Sequence, residues 1–433
     1  MKNERHVVLI SIDAMITSDI AEFRKRKNMG KLLEKASYVD EVHCIYPTYT
    51  YPCHASIMTG CYPERHGIYH NDVFNPFSSH DEWFWYSRAI KVPTMVDVAR
   101  KAGLVTSTVV FPVQGGNSAD YCIPEIWNLE MDADPDDAFL PATSEKALPI
   151  YRRHKGELNW MKTPEFDYFS TNCACDIIRE ARPHLLCMHL SYLDHQRHNN
   201  GFETEKVLHA IDFIDERVGE VVKAVEDAGI MDSTDFILLG DHGHIIVHNV
   251  FNINMLLKER GYIDVDESGK VMDFRIMVHS TSFSGHVYCR DVDLDEARKV
   301  LDEIRESYPE YVERVLTAYE AEEIYHLSGP FDFVLECQTN VIFGSALSGD
   351  LVCHPEKGSY KYSFSTHGFA PEKGANPPFI ISGPDAKAGV HVRNARLIDE
   401  APTVLDILGL SMPTAQGRCI DGLLKNPGSA NNI

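Results

Sequence analysis

Asp13, Thr50, Asp194, His198, Asp241, His242 and His367 are oxygen and nitrogen donors spread over most of the chain. Carboxylate, imidazole and hydroxyl groups in this mixture suit divalent cations, and enough are present for a site that holds two. Each donor also has a local setting that fits a ligand. Residues 7–12 form an unbroken apolar run that ends in Asp13, and residues 236–240 form another that ends in Asp241-His242-Gly243. Residues 184–193 lead into Asp194, with His198 four positions on. Apolar runs without alternation predict strands buried on both faces, as in a parallel sheet flanked by helices, and such sheets hold ligands beyond the carboxyl ends of their strands.

The individual signals differ in weight. Adjacent Asp241 and His242 can share one metal, with Gly243 permitting a tight turn. Asp194 and His198 share one face if their segment is helical. Thr366-His367-Gly368 lies in a loop rich in Ser and Tyr. Taken singly, a satisfied loop histidine or a capping aspartate is the commoner explanation of each; their order and their strand-end positions make them a site. His54, His66, His70 and His244 lie near these motifs and are expected to be structural or to support the ligands from behind.

Thr50 is the candidate nucleophile. Within residues 46–60 it is expected to be a helix N-cap, with Pro52 in the first turn, residues 55–58 continuing the helix and Gly60 stopping it. A hydroxyl at a helix N-terminus sits in a positive potential that favours its alkoxide and a bound phosphate. A divalent metal would lower its pKa further, which an unaided threonine needs in order to attack phosphorus.

Strand and helix signals alternate along most of the chain, which predicts an α/β fold with a doubly wound, mostly parallel sheet and helices on both faces. Residues 95–102, 203–228 and 398–408 read as helices ended by Gly103, Gly229 and Gly409, and residues 105–111 and 377–383 as strands. The expected core comprises residues 1–252 and 364–425. Residues 253–363 change character and predict a small α+β insertion, with strands near 286–290 and 331–336 and a charged helix over 293–306. Residues 426–433 are expected to form a flexible tail.

A chain of 433 residues with 44% hydrophobic content can bury a large core. No apolar run approaches the ~18 residues of a membrane span, and the N-terminus reads as a first strand rather than a signal peptide. The 11 cysteines lack zinc-knuckle spacing and suggest a reduced, cytoplasmic setting. A net charge of −23 argues against nucleic-acid polymers and anionic membranes as partners. A small anionic substrate stays compatible, because two divalent cations would reverse the field at the site.

Pro47-Thr-Tyr-Thr-Tyr-Pro-Cys-His54, Thr59-Gly-Cys-Tyr-Pro-Glu-Arg-His-Gly-Ile68, Asn71, Asp194-x-x-x-His198, Gly240-Asp-His-Gly243 and Thr366-His-Gly-Phe369 occur in one order. In that order they resemble the type I phosphodiesterase/nucleotide pyrophosphatase branch of the alkaline phosphatase superfamily, over roughly residues 5–250 and 355–425. The resemblance implies an alkaline phosphatase-like fold and two zinc ions, with manganese or another divalent ion as a substitute. Asp194, His198 and His367 would hold one, and Asp13, Asp241 and His242 the other, with Thr50 bridging toward the second. Asn71 would donate to a phosphoryl oxygen, and Tyr51 matches the aromatic position on which a nucleobase stacks, with packing at the helix start as its other reading. The segment 83–86, Trp-Phe-Trp-Tyr, offers a further aromatic wall, although such clusters more often belong to a core.

The implied activity is hydrolysis of phosphodiester or pyrophosphate bonds in a small, phosphate-containing substrate such as a nucleotide, through a covalent Thr50 intermediate. Phosphonoacetate hydrolase and phosphomonoesterase are the alternatives within the superfamily. A sulfatase is disfavoured because no Cys-x-Pro-x-Arg surrounds the nucleophile, and a phosphomutase or a non-catalytic relative fits the retained motifs poorly. The chain departs from the family pattern at Cys53 (commonly Asn), Gly240 (Ser) and His244 (Met).

Overall fold

Residues 7–12 leave no polar face, so they can be accommodated only as a strand covered on both sides. In the computed structural model, which describes residues 5–78, 82–126, 134–159, 163–202, 204–356 and 363–428, they form β1 (His6–Ile12), buried along its whole length. The other main-sheet strands of the N-terminal part are β2 (Ser37–His43), β3 (Thr106–Phe111), β4 (Tyr121–Pro124), β5 (Leu185–Leu190) and β6 (Thr234–Leu239). Four strands of the insertion share one sheet: β7 (Ile276–Ser280), β8 (Ser284–Cys289), β9 (Val312–Thr317) and β10 (Phe333–Cys337). β11 (Phe379–Ser382) and β12 (His391–Arg396) return to the core.

The 8-stranded main sheet runs β12-β2-β11-β6-β1-β5-β3-β4. All its pairings are parallel except the two made by β11, which is antiparallel to β2 and β6. The helices that carry the account are α1 (Thr50–Thr59), α2 (Met95–Lys101), α3 (Thr163–Ala181), α4 (Tyr192–Asn200), α5 (Glu205–Asp227), α6 (Leu294–Ser307) and α7 (Glu400–Ile407). Along β1, Val8, Ile10 and Ile12 enter one core with Phe169 and Ile177 of α3 and Val218 and Val221 of α5. Val7 and Leu9 enter the opposite core with Ile57 of α1, Val96 of α2 and Val404 and Leu405 of α7. Period-two alternation thus feeds two helical layers from one strand, the doubly wound arrangement expected from the sequence.

Helix boundaries follow local chemistry. Thr94 accepts from Asp97 N and the Asp97 carboxylate accepts from Thr94 N, a capping box that starts α2. Thr204 accepts from Val207 N to start α5, and Asp293 accepts from the amides of Asp295 and Glu296 to start α6. The helix expected over 398–408 opens instead as a 3-10 turn, Leu397–Asp399, before α7 begins at Glu400.

The insertion forms a separate antiparallel sheet, β7-β8-β10-β9. Its core shares Tyr46 and Tyr69 with the main body. Buried Glu336 of β10 joins the two parts: it accepts from Tyr46 Oη at 2.5 Å, from Ala370 N at 3.0 Å and from Lys373 Nζ at 3.0 Å. In the expected C-terminal tail, Gly428 N donates to Asp406 at 3.1 Å, and residues 429–433 lie outside the described residues, as do 357–362 of the insertion. Among the described residues no helix is long and apolar enough to cross a membrane.

Two glycines beside the ligands are required by close approach of another chain segment. A Cβ on Gly240 would lie 2.1 Å from the Met15 carbonyl oxygen, so this backbone leaves no room for a side chain there. A Cβ on Gly243 would lie 2.2 Å from the Ala375 carbonyl oxygen, so this position needs glycine for space rather than for the turn conformation expected of it.

Candidate metal centre and nucleophile

Parallel pairing aligns the ends of the central strands. Ile12 pairs with Leu190 across β1 and β5, and Ser11 with Leu239 across β1 and β6. The residues just beyond these ends therefore share one edge. Asp13 N donates to Leu190 O at 2.9 Å, and Ala14 N to Asp241 Oδ1 at 3.0 Å. Arg197 of α4, fully buried, donates to the Ala14 carbonyl and to Asp19 Oδ1, the latter at 2.7 Å, and so pins the loop that carries Asp13.

Asp13, Asp241 and His242 form one cluster of buried ligand atoms. His242 Nε2 lies 3.4 Å from Asp13 Oδ1, 3.1 Å from Asp241 Oδ2 and 3.1 Å from Thr50 Oγ1. A single N–H cannot serve three oxygens. Neither Asp13 Oδ1 nor Asp241 Oδ2 has a hydrogen-bond partner among the described residues. Orphaned carboxylate oxygens converging on a nitrogen and a hydroxyl fit a divalent cation.

The second cluster contains Asp194, His198 and His367, the set that the resemblance implied, and His244 as well. His244 Nε2 lies 2.7 Å from Asp194 Oδ1, closer than His198 Nε2 at 3.3 Å or His367 Nε2 at 3.9 Å. His244, expected to be structural or to support the ligands from behind, does contact Asp194 and also stands among the groups that could hold a metal. Its signal was available in sequence, one residue beyond Gly243 in the same turn. The far nitrogens of these rings are anchored: His198 Nδ1 to Ser363 Oγ at 3.1 Å, His244 Nδ1 to Ser365 Oγ at 3.0 Å and His367 Nδ1 to Thr48 O at 3.2 Å. Such anchors fix which nitrogen faces a metal. Pairing of Ser365–Thr366 with Ile245–Ile246 brings the His244 and His367 segments together, and the His242 and His367 rings stack at 3.9 Å, which puts the clusters side by side.

Thr50 is the first residue of α1, and Tyr49 holds the cap position with no side-chain cap bond. The expected N-cap role is thus corrected: the Thr50 hydroxyl is not turned back onto its own helix and faces His242 instead. His54, one turn on, makes a 2.8 Å hydrogen bond to Thr50 O and a 2.9 Å bond to Ser11 Oγ, tying α1 to β1. Asn71 Oδ1 accepts from Tyr51 N at 2.9 Å, which leaves the amide NH2 as its donating end beside the nucleophile.

Tyr51 has no exposed surface. Its ring meets Trp83 edge-on at 5.2 Å and its hydroxyl donates to Glu125 at 3.1 Å, so the structure has the packing role that the sequence left open and not an open stacking platform. Trp83 and Phe84 likewise pack, against Tyr51 and Tyr69. Glu125 and His189, without a sequence signal of their own, adjoin the cluster: His189 stands 3.1 Å from Glu125 Oε2 and 3.2 Å from Asp13 Oδ2.

Burial drives the electrostatics. Burial, then repulsion from Asp194, pushes the Asp13 carboxyl up to about 7. Burial and Asp13 raise Asp241 well above the ordinary range. Burial would also raise Asp194, but His198 and His244 outweigh it and hold that carboxyl low. Burial lowers His244 to about 4 and lowers His242 and His367, keeping the rings neutral and their lone pairs ready for a metal.

Residues 7–375 match the profile of the family described as type I phosphodiesterase/nucleotide pyrophosphatase. Ectonucleotide pyrophosphatase/phosphodiesterase family member 1 of Rattus norvegicus is 25% identical over 224 residues, 50% of this chain and 21% of that protein. Venom phosphodiesterase of Macrovipera lebetinus is 24% identical over 217 residues, 50% of this chain and 23% of that protein. The matched stretch thus spans about a fifth of these relatives, 21% and 23%. Among solved structures, human ectonucleotide pyrophosphatase/phosphodiesterase 5 superposes with a TM-score of 0.70 at 14% identity, over 98% of this chain and 100% of that one. An inactive threonine-to-alanine variant of the murine protein, in complex with AMP, gives 0.68 at 16% identity, over 97% and 100%. These structures share the fold.

His244→Met, which restores the family's residue, is expected to weaken metal binding at the Asp194 cluster at least about tenfold while leaving the Asp13 cluster loaded; competition with a chromogenic chelator measures this. Asp13 gives a pH signature. Its folded carboxyl titrates near 7 against an ordinary value of 3.8. The raised value disfavours the metal-free fold from about pH 4 upward, fully above about pH 7, by at most about 4 kcal/mol. In chelator, Asp13→Asn is therefore expected to gain stability over the wild type as pH rises from 4 to 7. Urea denaturation at several pH values checks it, and a constant difference would contradict it.

Proposed function

The chain belongs to the type I phosphodiesterase/nucleotide pyrophosphatase family, and on that premise we propose that it hydrolyses phosphodiester or pyrophosphate bonds of a nucleotide through a covalent intermediate on Thr50. The observation that carries the reading is the placement of the Thr50 hydroxyl at the start of α1, 3.1 Å from His242 Nε2, beside two clusters of ligand atoms.

Asp13, Asp241 and His242 would hold one zinc ion and Asp194, His198, His367 and His244 the other, with manganese or another divalent ion as a substitute. Two such ions, when bound, supply positive charge that favours an alkoxide and a departing oxyanion. The protein residues do the rest. Thr50 attacks phosphorus from the N-terminus of α1, where the helix dipole favours its ionised oxygen and the incoming phosphate. The Asn71 NH2 donates to a nonbridging phosphoryl oxygen as negative charge builds there. The P–O bond to the leaving group breaks as the Thr50–P bond forms, and water then displaces Thr50 to release the product. His54, Arg197, His189 and Glu125 hold the nucleophile helix and the Asp13 loop in position throughout.

The AMP complex of the inactive threonine-to-alanine neighbour supports a nucleotide as substrate and a threonine as the essential group. The buried Tyr51 ring does not support base stacking at that position, so a base would have to be recognised elsewhere.

Comparison of kcat/KM for a nitrophenyl nucleotide diester, ATP, nitrophenyl phosphate and phosphonoacetate tests the reading, and the first two are expected to lead. A preference for the monoester or for phosphonoacetate would replace it with one of the alternatives. Thr50→Ala is expected to lose at least about a hundredfold in turnover, about 3 kcal/mol of barrier, with both metals retained.

A further inference from the structure

Outside the two clusters, one more group of metal-type ligands converges. His70 and Asp72 flank Asn71, and His279 stands on β7 of the insertion. His70 Nδ1 lies 2.8 Å from Asp72 Oδ1, and His279 Nε2 lies 3.0 Å from Asp72 Oδ2. These spacings fall in the range within the other clusters, where Asp194 and His244 are 2.7 Å apart and Asp194 and His198 3.3 Å.

The orientation of His70 is that of a ligand. Its Nε2 lies 3.2 Å from the Ser280 carbonyl oxygen, which can only accept, so this nitrogen carries the proton. Its Nδ1 accepts from Asp72 N at 3.1 Å and faces the Asp72 carboxylate. That lone pair is divided between the Asp72 amide and the space before the Asp72 carboxylate, where a cation would relieve the contact between the two acceptors. A proton would satisfy that contact alone. A divalent ion would satisfy the carboxylate and both imidazoles at once, and would leave the His70 and His279 rings neutral where they stack at 3.9 Å.

His286 supplies an independent sign. It is fully buried, and neither of its ring nitrogens has a hydrogen-bond partner among the described residues. A buried imidazole without a hydrogen-bond partner costs free energy that a nearby polar or cationic group would recover. His286 pairs directly with His279 across β7 and β8, so both side chains leave the same face of the sheet, and its ring centre is 5.6 Å from that of His70. The cluster is also reachable: the side chains of Asp72 and His279 keep 13% and 19% of their surface exposed.

We propose that His70, Asp72 and His279, backed by His286, form a third site for a divalent transition metal, separate from the two clusters around Thr50. Two imidazoles and one carboxylate suit zinc or manganese and leave a position open for water. The ion would tie the insertion, through His279, to the loop that carries Asn71. It would also lie one aromatic ring away from the centre already described, since Tyr49 touches His70 at 5.2 Å and His367 at 4.9 Å.

Zinc is the probe. After equilibration of the full chain with micromolar free zinc, elemental analysis is expected to give three ions per chain, and anomalous diffraction at the zinc edge a peak beside Asp72. His279→Gln and Asp72→Asn are each expected to lose that one ion and keep the other two. Wild-type crystals with no peak beside Asp72, or with one only at millimolar zinc, would overturn the proposal, and that result does not depend on whether either variant folds.

Discussion

Asp13, Asp194 and Asp241 bring three carboxylates together in a buried space at one edge of a sheet, and mutual repulsion there is the constraint that the rest of the site answers. Two unit charges 4 Å apart interact by about 4 kcal/mol at an effective dielectric constant of about 20, so the cluster is costly without counter-charge. Burial raises the Asp13 and Asp241 carboxyls most, and repulsion from Asp194 and Asp13 respectively adds to it. Part of the answer is built into the chain: His198 faces Asp194, and His189 faces Asp13. The remainder requires cations, and Thr50 stands where their charge would act on a hydroxyl.

The fold supplies the convergence at little conformational expense. β5, β1 and β6 are adjacent and parallel, so the loops after them open on the same side without any special geometry. What is special lies in the fastening of those loops. Arg197 is buried between two ligands of α4 and reaches back to the Asp13 loop, so one helix positions residues of both clusters. Thr48 accepts from the amides of Gly368 and Phe369 at 3.1 and 3.0 Å, which locks the approach to α1 onto the loop that bears His367. Glu336 performs the same service between the insertion and the core. Displacing any of these fasteners moves ligands without touching them.

The strand-end aspartates were legible in the sequence because an all-apolar run leaves only one fold environment and one exit. The same logic made the doubly wound sheet legible, and β11 escaped it only in direction, since apolar runs carry no sign of parallel or antiparallel pairing. His244 was set aside because three ligands per ion already filled both expected sites, while the turn after β6 brings a third imidazole onto Asp194 beside His198 and His367. Thr50 was misassigned as a cap because sequence cannot tell the cap from the first helical residue, one position away, and that single step turns the hydroxyl from its own helix toward His242. Tyr51 shows the complementary limit: its burial depends on Trp83 and Glu125, residues distant in sequence that no local pattern connects to it. His189 and Glu125, hidden in or after apolar strands, were invisible for the same reason.

Whether Thr50 carries the reaction is decided by what becomes attached to it. Rapid acid quench of the zinc-loaded protein during turnover of a nitrophenyl nucleotide diester, followed by peptide mass mapping, reads this directly. A nucleotidyl mass increment on the peptide containing Thr50, localised to that residue and absent from Thr50→Ala, is the predicted result. Full turnover with the increment on another side chain, or with an adduct-free Thr50 under conditions that trap the intermediate, would contradict it.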